Sequence, residues 1–285
     1  REYHPYDDLP KLINPPSGYI FNTNNSPFNS TSSQYNLKET DFNPTFSFRE
    51  KENNRSYRFM ELIEEYDKID YDDFKKIKYD QKYPDSIAFI GNINEIFSID
   101  FENEKVADIH KLIINWDKEG DYNNLGAAQW SIFYNNILTI LKKNNIELTD
   151  SIPHIYFLEA LKKSKKYLVK HYGKVDILLG DLQRHVRGGV SLPVSGLIDM
   201  IAPTYVQKYK EGKYRSVSGE SYVMLLKYSK SNIDIETVLP YGNSNNSTSP
   251  HYTDQMEMYI NKKTKSMTLE KDKIYKSALR IYNPI

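Results

Sequence analysis

The sequence predicts an α+β protein. Two observations support this: apolar residues recur at helical spacing between about residues 55 and 172, and short strand-like runs broken by turn residues follow between about 173 and 285. A third excludes the α/β classes. The two patterns stay apart along the chain, without the strand-helix alternation that builds parallel sheets. We therefore expect one domain spanning residues 1–285, helical first and strand-rich second, with no internal repeat and no linker.

Residues 1–50 are rich in Asn, Ser, Pro and aromatics and show little period, and Asn22 to Gln34, broken by Pro27, reads as a surface loop. Phe59, Leu62, Ile63 and Tyr66 then place a helix over 55–68. Tyr71 to Lys78 is a second, with Asp70, Asp72 and Asp73 at its start. These acids lack the spaced ligands and turn glycine of a calcium loop. Val106, Ile109, Ile113 and Trp116 predict a helix over 103–117. Trp130, Phe133, Ile137 and Leu141 predict one over 126–143. The next runs over about 153–172, with Lys162, Lys163, Lys165 and Lys166 on a solvated face.

Tyr222–Tyr228 and Thr237–Pro240 read as strands. Ser249-Pro250 offers an N-cap and a first-turn proline, predicting a helix that uses Met256, Tyr259 and Ile260. A short strand near Met267–Leu269 leads to a final helix with Ile274, Ala278, Leu279 and Tyr282.

Composition excludes several functions. Thirty-eight basic residues balance thirty-eight acidic ones, so no net charge recruits nucleic acid or an anionic membrane. There is no cysteine, which rules out disulfides, thiolate catalysis and cysteine zinc sites. The longest apolar runs, Ile198–Pro203 and Tyr222–Leu226, fall far short of the ~18 residues of a membrane helix. There is no phosphate-binding glycine loop, no His-Glu-x-x-His and no Gly-x-Ser-x-Gly elbow. The six histidines are scattered.

Several stretches exceed what a surface loop or a strand needs. The first is Asn14-Pro15-Pro16-Ser17-Gly18-Tyr19-Ile20-Phe21-Asn22-Thr23-Asn24-Asn25-Ser26-Pro27-Phe28. Later come Asn115-Trp116-Asp117, Gly180-Asp181-Leu182 and Leu192-Pro193-Val194-Ser195-Gly196. Gly219-Glu220-Ser221-Tyr222, Tyr241-Gly242-Asn243-Ser244 and Ser249-Pro250-His251-Tyr252-Thr253-Asp254-Gln255 complete the set. In this order they resemble the C-terminal part of the β chain of the penicillin amidase family, acylases with an N-terminal nucleophile. The resemblance implies part of the αββα sandwich of N-terminal-nucleophile hydrolases, with additional helices.

It also implies an amide hydrolase, made as a self-cleaving precursor and exported to the periplasm or beyond. Its substrate would be a small linear acyl amide, the family's range taking in antibiotics and acyl-homoserine lactones, and no cofactor is needed. The Ser26-Pro27-Phe28 continuation resembles the lactone-acylase and aculeacin-acylase branch more than penicillin G acylase.

By match to the family's motif, Asn24 takes the oxyanion-hole position, Asn22 braces its loop, and Arg55 takes the active-site arginine position. The residues alone leave other readings open. Asn24 reads equally as a turn residue opening an Asn-x-Ser sequon, Arg55 as a surface arginine at a helix start, and Arg58 competes for the arginine position. His251, Tyr252, Asp254 and Gln255 are expected to be structural.

Two departures matter. Tyr35 stands where calcium-binding members carry a ligand Asp, so no metal ligand is expected from this segment. Arg1 is not Ser, Thr or Cys, so the nucleophile is expected on the N-terminal part of the β chain, which with the α chain would be this chain's partner. The alternative is an inactive binding or structural module derived from the acylase fold.

Overall fold

The computed structural model describes residues 3–282 other than 47, 49, 50, 89, 103 and 279. Arg1, Asn103 and Leu279, used in the reasoning above, lie outside the described residues.

The described residues between 3 and 53 form a long coil with isolated 3-10 turns. Eight helices are described: α1 Asn54–Glu64, α2 Tyr71–Lys78, α3 Ala107–Ile114, α4 Ala127–Lys143, α5 His154–Tyr172, α6 Leu179–Leu182, α7 Met256–Ile260 and α8 Lys271–Ser277. Seven strands make two sheets. β1 Gln183–Arg187, β2 Val190–Pro193, β3 Thr204–Lys208 and β4 Tyr214–Gly219 are ordered β2-β1-β4-β3. β5 Val223–Tyr228, β6 Ile233–Val238 and β7 Lys265–Met267 form an antiparallel sheet in chain order.

Helices α1, α2, α4 and α5 form close to where the periodicity places them, because each buries apolar residues, whereas α3 is shorter at both ends than the predicted 103–117 and α8 buries none of its residues. In α5, Phe157, Ala160, Leu161, Ser164 and Leu168 are buried, and Gly173 in the left-handed region ends the helix. Lys162, Lys163 and Lys166 are exposed, while Lys165 turns back to Asp108 at 2.7 Å. Asp70 caps α2 by accepting the Asp73 N–H at 2.9 Å, so this acidic group is a helix start.

The core is built on α4, which is buried nearly all round through its first half. Trp130 lies in an aromatic cluster, with Trp116 at 5.4 Å, Phe97 and Phe133 at 5.7 Å, and Tyr134 at 5.9 Å between ring centroids.

Three further expectations need correction. The first helix stops at Glu64, four residues early, because Tyr66 leaves the helical path. The segment Ser249 to Gln255 is a series of turns rather than a helix start, and α7 begins at Met256. The reason is that its polar groups are committed to the facing turn: Ser244 donates its N–H to the His251 carbonyl at 3.0 Å, and the Gln255 N–H to that of Tyr241 at 2.9 Å. The final helix ends at Ser277, so Ala278 and Tyr282 lie beyond it. Strands β1 to β4 are an addition. Their sequences, such as Gln183-Arg184-His185-Val186-Arg187, are too polar to stand out as strands.

Among the described residues no helix is long and apolar enough to cross a membrane.

Candidate active site

The Asn-rich loop is held by its own side chains. Phe21 donates its N–H to the Ser30 carbonyl at 2.9 Å, closing the loop at its base. Inside it, Asn25 is buried; its Oδ1 accepts the Thr23 N–H and hydroxyl, each at 2.8 Å, and its amide donates to the Asn29 carbonyl at 2.5 Å. Asn22 accepts the Asn24 N–H at 2.8 Å, the bracing expected of it. In these contacts a short amide side chain replaces a backbone partner, and the one between Asn22 and Asn24 is an Asx turn. They hold Asn24 in the left-handed region, φ 63°, where asparagine is one of the few residues at ease.

The loop rests on the N-terminus of α1. Phe21 stacks on Phe59 at 4.3 Å. Asn53 caps the helix by accepting the Ser56 N–H at 2.9 Å, and its amide donates to the Thr23 carbonyl at 2.9 Å. One residue therefore starts the helix and holds the loop. Two positions on, Arg55 donates from Nη1 to Asn24 Oδ1 at 3.2 Å.

That contact decides which way the Asn24 carboxamide faces. A guanidinium has donors only, so the oxygen must point at Arg55 and the NH₂ away from it. Asn24 is exposed, and its NH₂ has no protein acceptor among the described residues. A neutral donor beside a fixed cation, facing outward, suits a group that develops negative charge.

Arg55 is itself positioned from far along the chain. Its Nε donates to Asp199 Oδ1 at 3.0 Å. Asp199 Oδ2 accepts the Asn54 N–H at 2.9 Å and the Asn54 amide at 3.1 Å. The Asp199 side chain is 8% exposed, and three donors offset the cost of burying its charge. Its backbone is left-handed, φ 60°. Asn54 also exchanges two hydrogen bonds with the Ala88 backbone, at 2.7 and 3.0 Å. Loop, helix and the 196–203 segment thus meet at one point.

Sequence reasoning missed Asp199 and Asn54. A signal existed for Asp199, a lone carboxylate inside the apolar run Leu197-Ile198-Asp199-Met200-Ile201.

The rival arginine is spent elsewhere. Arg58 grips Asp80 through Nε at 3.2 Å and Nη2 at 3.0 Å, and its Nη1 reaches Glu61 at 3.1 Å. Gln255 is buried and its Oε1 accepts the Leu239 N–H at 3.0 Å, while exposed His251 pairs with Asp254 at 2.8 Å. Tyr35 is exposed, and no cluster of three potential metal ligands occurs among the described residues.

Comparison with known proteins gives two results. The family model described as penicillin amidase matches residues 1–276. The structure is similar to that of a thermostable penicillin G acylase from Alcaligenes faecalis, with a TM-score of 0.50 and 12% identity over 99% of this chain and 59% of that one. The chain thus spans about three fifths of that relative's length. The fold is the α+β fold of the N-terminal-nucleophile hydrolases.

Proposed function

Because the chain belongs to the penicillin amidase family, we propose that it carries the oxyanion-stabilising side of an amide-hydrolysing site. The nucleophile in this reading is a serine at the N-terminus of the mature β chain, outside residues 1–285. Its hydroxyl attacks the amide carbonyl while its own α-amine, which titrates near ~7.7–8.0, takes the proton. The carbonyl oxygen becomes an alkoxide. Asn24 donates to it through Nδ2, together with a backbone N–H from outside this chain. The intermediate collapses, the amine leaves with the proton held by the α-amine, and an acyl-serine remains. Water then attacks that ester and releases the carboxylic acid.

The observation that carries this reading is the contact between Arg55 Nη1 and Asn24 Oδ1 at 3.2 Å. It orients the carboxamide so that its donor end is available, and it polarises the amide so that the N–H bonds donate more strongly. Arg55 also lends positive potential to the region where charge develops. Asp199 keeps Arg55 from swinging into the oxyanion's place. In this reading Arg58 takes no part.

The substrate class is a small linear acyl amide. The parent protein is a self-cleaving precursor of the exported kind, and this chain by itself is inactive. The test is to express the full-length gene, confirm by mass spectrometry that a serine N-terminus forms, and assay amine release from a panel of N-acyl-4-nitroanilides. Release that depends on Asn24 supports the reading. A folded, fully processed protein that releases nothing from the panel favours the inactive module instead.

A further inference from the structure

The balance of thirty-eight basic and thirty-eight acidic residues is a sum over the whole chain, and the fold does not spread the two signs evenly. Residues 160–175, in α5 and just after it, and residues 204–219, the β3–β4 hairpin, together hold ten lysines and arginines and one acid, Glu211. The two stretches are distant in sequence and meet at the end of the helix. Tyr172 donates its hydroxyl to the Gly212 carbonyl at 2.8 Å. Gly212, with φ +71°, lies so close to His171 that a Cβ there would meet the histidine at 2.4 Å.

Four of the ten cations have carboxylate partners. Lys163 and Lys165 reach Glu159 and Asp108 at 2.7 Å, and Lys162 and Lys174 reach Glu104 and Asp176 at 3.9 Å. The other six, Lys166, Lys170, Lys208, Lys210, Lys213 and Arg215, pair with no carboxylate among the described residues, Glu211 included. Three of them lie over tyrosine rings. Lys208 is 5.7 Å from the centroid of Tyr167 on α5, and Lys210 and Arg215 are each 5.5 Å from that of Tyr209. The helix dipole accounts for Lys170, in the last turn of α5, but not for the hairpin. A face kept only for solubility intersperses both signs. Six unpaired cations at one corner repel one another, and a partner of opposite charge relieves that repulsion.

We propose that this corner docks on an anionic phospholipid bilayer. Five of the six cations are lysines, hydrated point charges that attract phosphate without the rigid fork arginine uses to read one group. Tyr167 and Tyr209 already carry cations over their rings, which leaves them poor platforms for the base stacking of a single-stranded nucleic acid. Clusters of about four to eight basic residues are the size that anionic headgroups hold. Val169, three residues after Lys166 on the helix and 48% exposed, offers an apolar contact at the headgroup level. The surface is independent of the acylase reading, since it uses none of the residues around Asn24.

The test is sedimentation of the full-length protein with vesicles of phosphatidylcholine containing about 30% phosphatidylglycerol, at about 50 mM salt, where the Debye length exceeds roughly 10 Å. Saturable binding is expected, at least about tenfold tighter than to pure phosphatidylcholine vesicles. Each basic side chain at such a surface raises the partition coefficient about fivefold, so Lys208→Gln with Lys210→Gln should weaken binding about thirtyfold. The control removes the same charge elsewhere. Gln129 bonds to Val175 and Asn136 to Ser164, so α4 and α5 run antiparallel, and exposed Lys142 and Lys143 lie at the end of the pair away from the patch. Lys142→Gln with Lys143→Gln should leave binding within about threefold. Hydrogen exchange in residues 208–213 should slow on the vesicles, and this decides if the first variant does not fold. The proposal is overturned by absence of saturable binding, by equal binding to uncharged vesicles, by equal loss in the two double variants, or by unchanged exchange in residues 208–213. Single-stranded DNA that strips the protein from the vesicles at equal phosphate concentration also overturns it, and assigns the surface to nucleic acid.

Discussion

Aspartate at position 24 preserves almost everything about the loop and removes one donor. Asn24→Asp keeps the size of the side chain, and aspartate shares asparagine's tolerance of the left-handed region in which the backbone sits, φ 63°. It also keeps an oxygen for Arg55 Nη1, the partner Asn24 now holds at 3.2 Å. No other side-chain hydrogen bond of Asn24 is lost, because its NH₂ has no protein acceptor among the described residues. Stability should therefore change by no more than about 1 kcal/mol. Catalysis should change far more. Loss of one oxyanion donor costs about 10²–10³ in kcat, or roughly 2.7–4 kcal/mol, and a carboxylate facing an alkoxide adds repulsion to that. The assay is steady-state release of 4-nitroaniline by fully processed protein, with urea unfolding run alongside. Asn24→Ala serves as the uncharged comparison, and should lose the donor without the repulsion. If Asn24→Asp is folded and processed, and its kcat stays within tenfold of the parent, Asn24 is not the oxyanion donor and the assignment fails.

Asp199→Asn removes the charge that holds Arg55 and should cost about 1.5–3 kcal/mol of stability in urea unfolding, while lowering kcat through a loosened Arg55. Gly196→Ala, in the segment that carries Asp199, would force φ +91° on alanine and set its Cβ 2.6 Å from the Ala202 carbonyl oxygen. A loss of about 1–3 kcal/mol by thermal melting is expected. Phe133→Ala, which opens a hole beneath Trp130, should cost about 3–5 kcal/mol in the same measurement. The Glu236 carboxyl is held below its ordinary pKa, first by the Lys75 ammonium at 2.8 Å and then by Thr264. Its folded pKa is depressed, so its contribution is complete above the unfolded value of about 4.3 and is lost as pH falls through the lower folded value. Hydrogen exchange in β5–β7 should therefore rise below about pH 4.3, and Glu236→Gln should remove that pH dependence.

Local pattern carried the helices. α2 over Tyr71–Lys78, α4 and α5 were legible because a helix with one buried stripe repeats its apolar residues at a spacing any short window contains. The Asn24 loop was legible as a motif, and the side-chain contacts within it are also local. The strands β1 to β4 were less so, since a half-exposed strand shows only alternation and theirs is diluted by Arg184, Arg187 and Ser216. The turns at 249–255 were misread for a related reason. Ser249-Pro250 satisfies the local rule for a helix start, but the backbone groups that would begin the helix are claimed by residues 241 and 244.

By itself, the sequence determined the class of secondary structure along the chain and named Asn24 and Arg55 as residues of interest. Only the tertiary structure decided that they touch, that Arg55 rather than Arg58 is the one free to do so, and that Asp199, 144 residues away from Arg55, holds it there. The reason is physical. Helix periodicity reflects a free energy gained within a few residues. An ion pair across such a separation depends on where the packed core places two backbones, and although the apolar neighbours of Asp199 mark it as unusual, nothing beside either residue says that the two are partners.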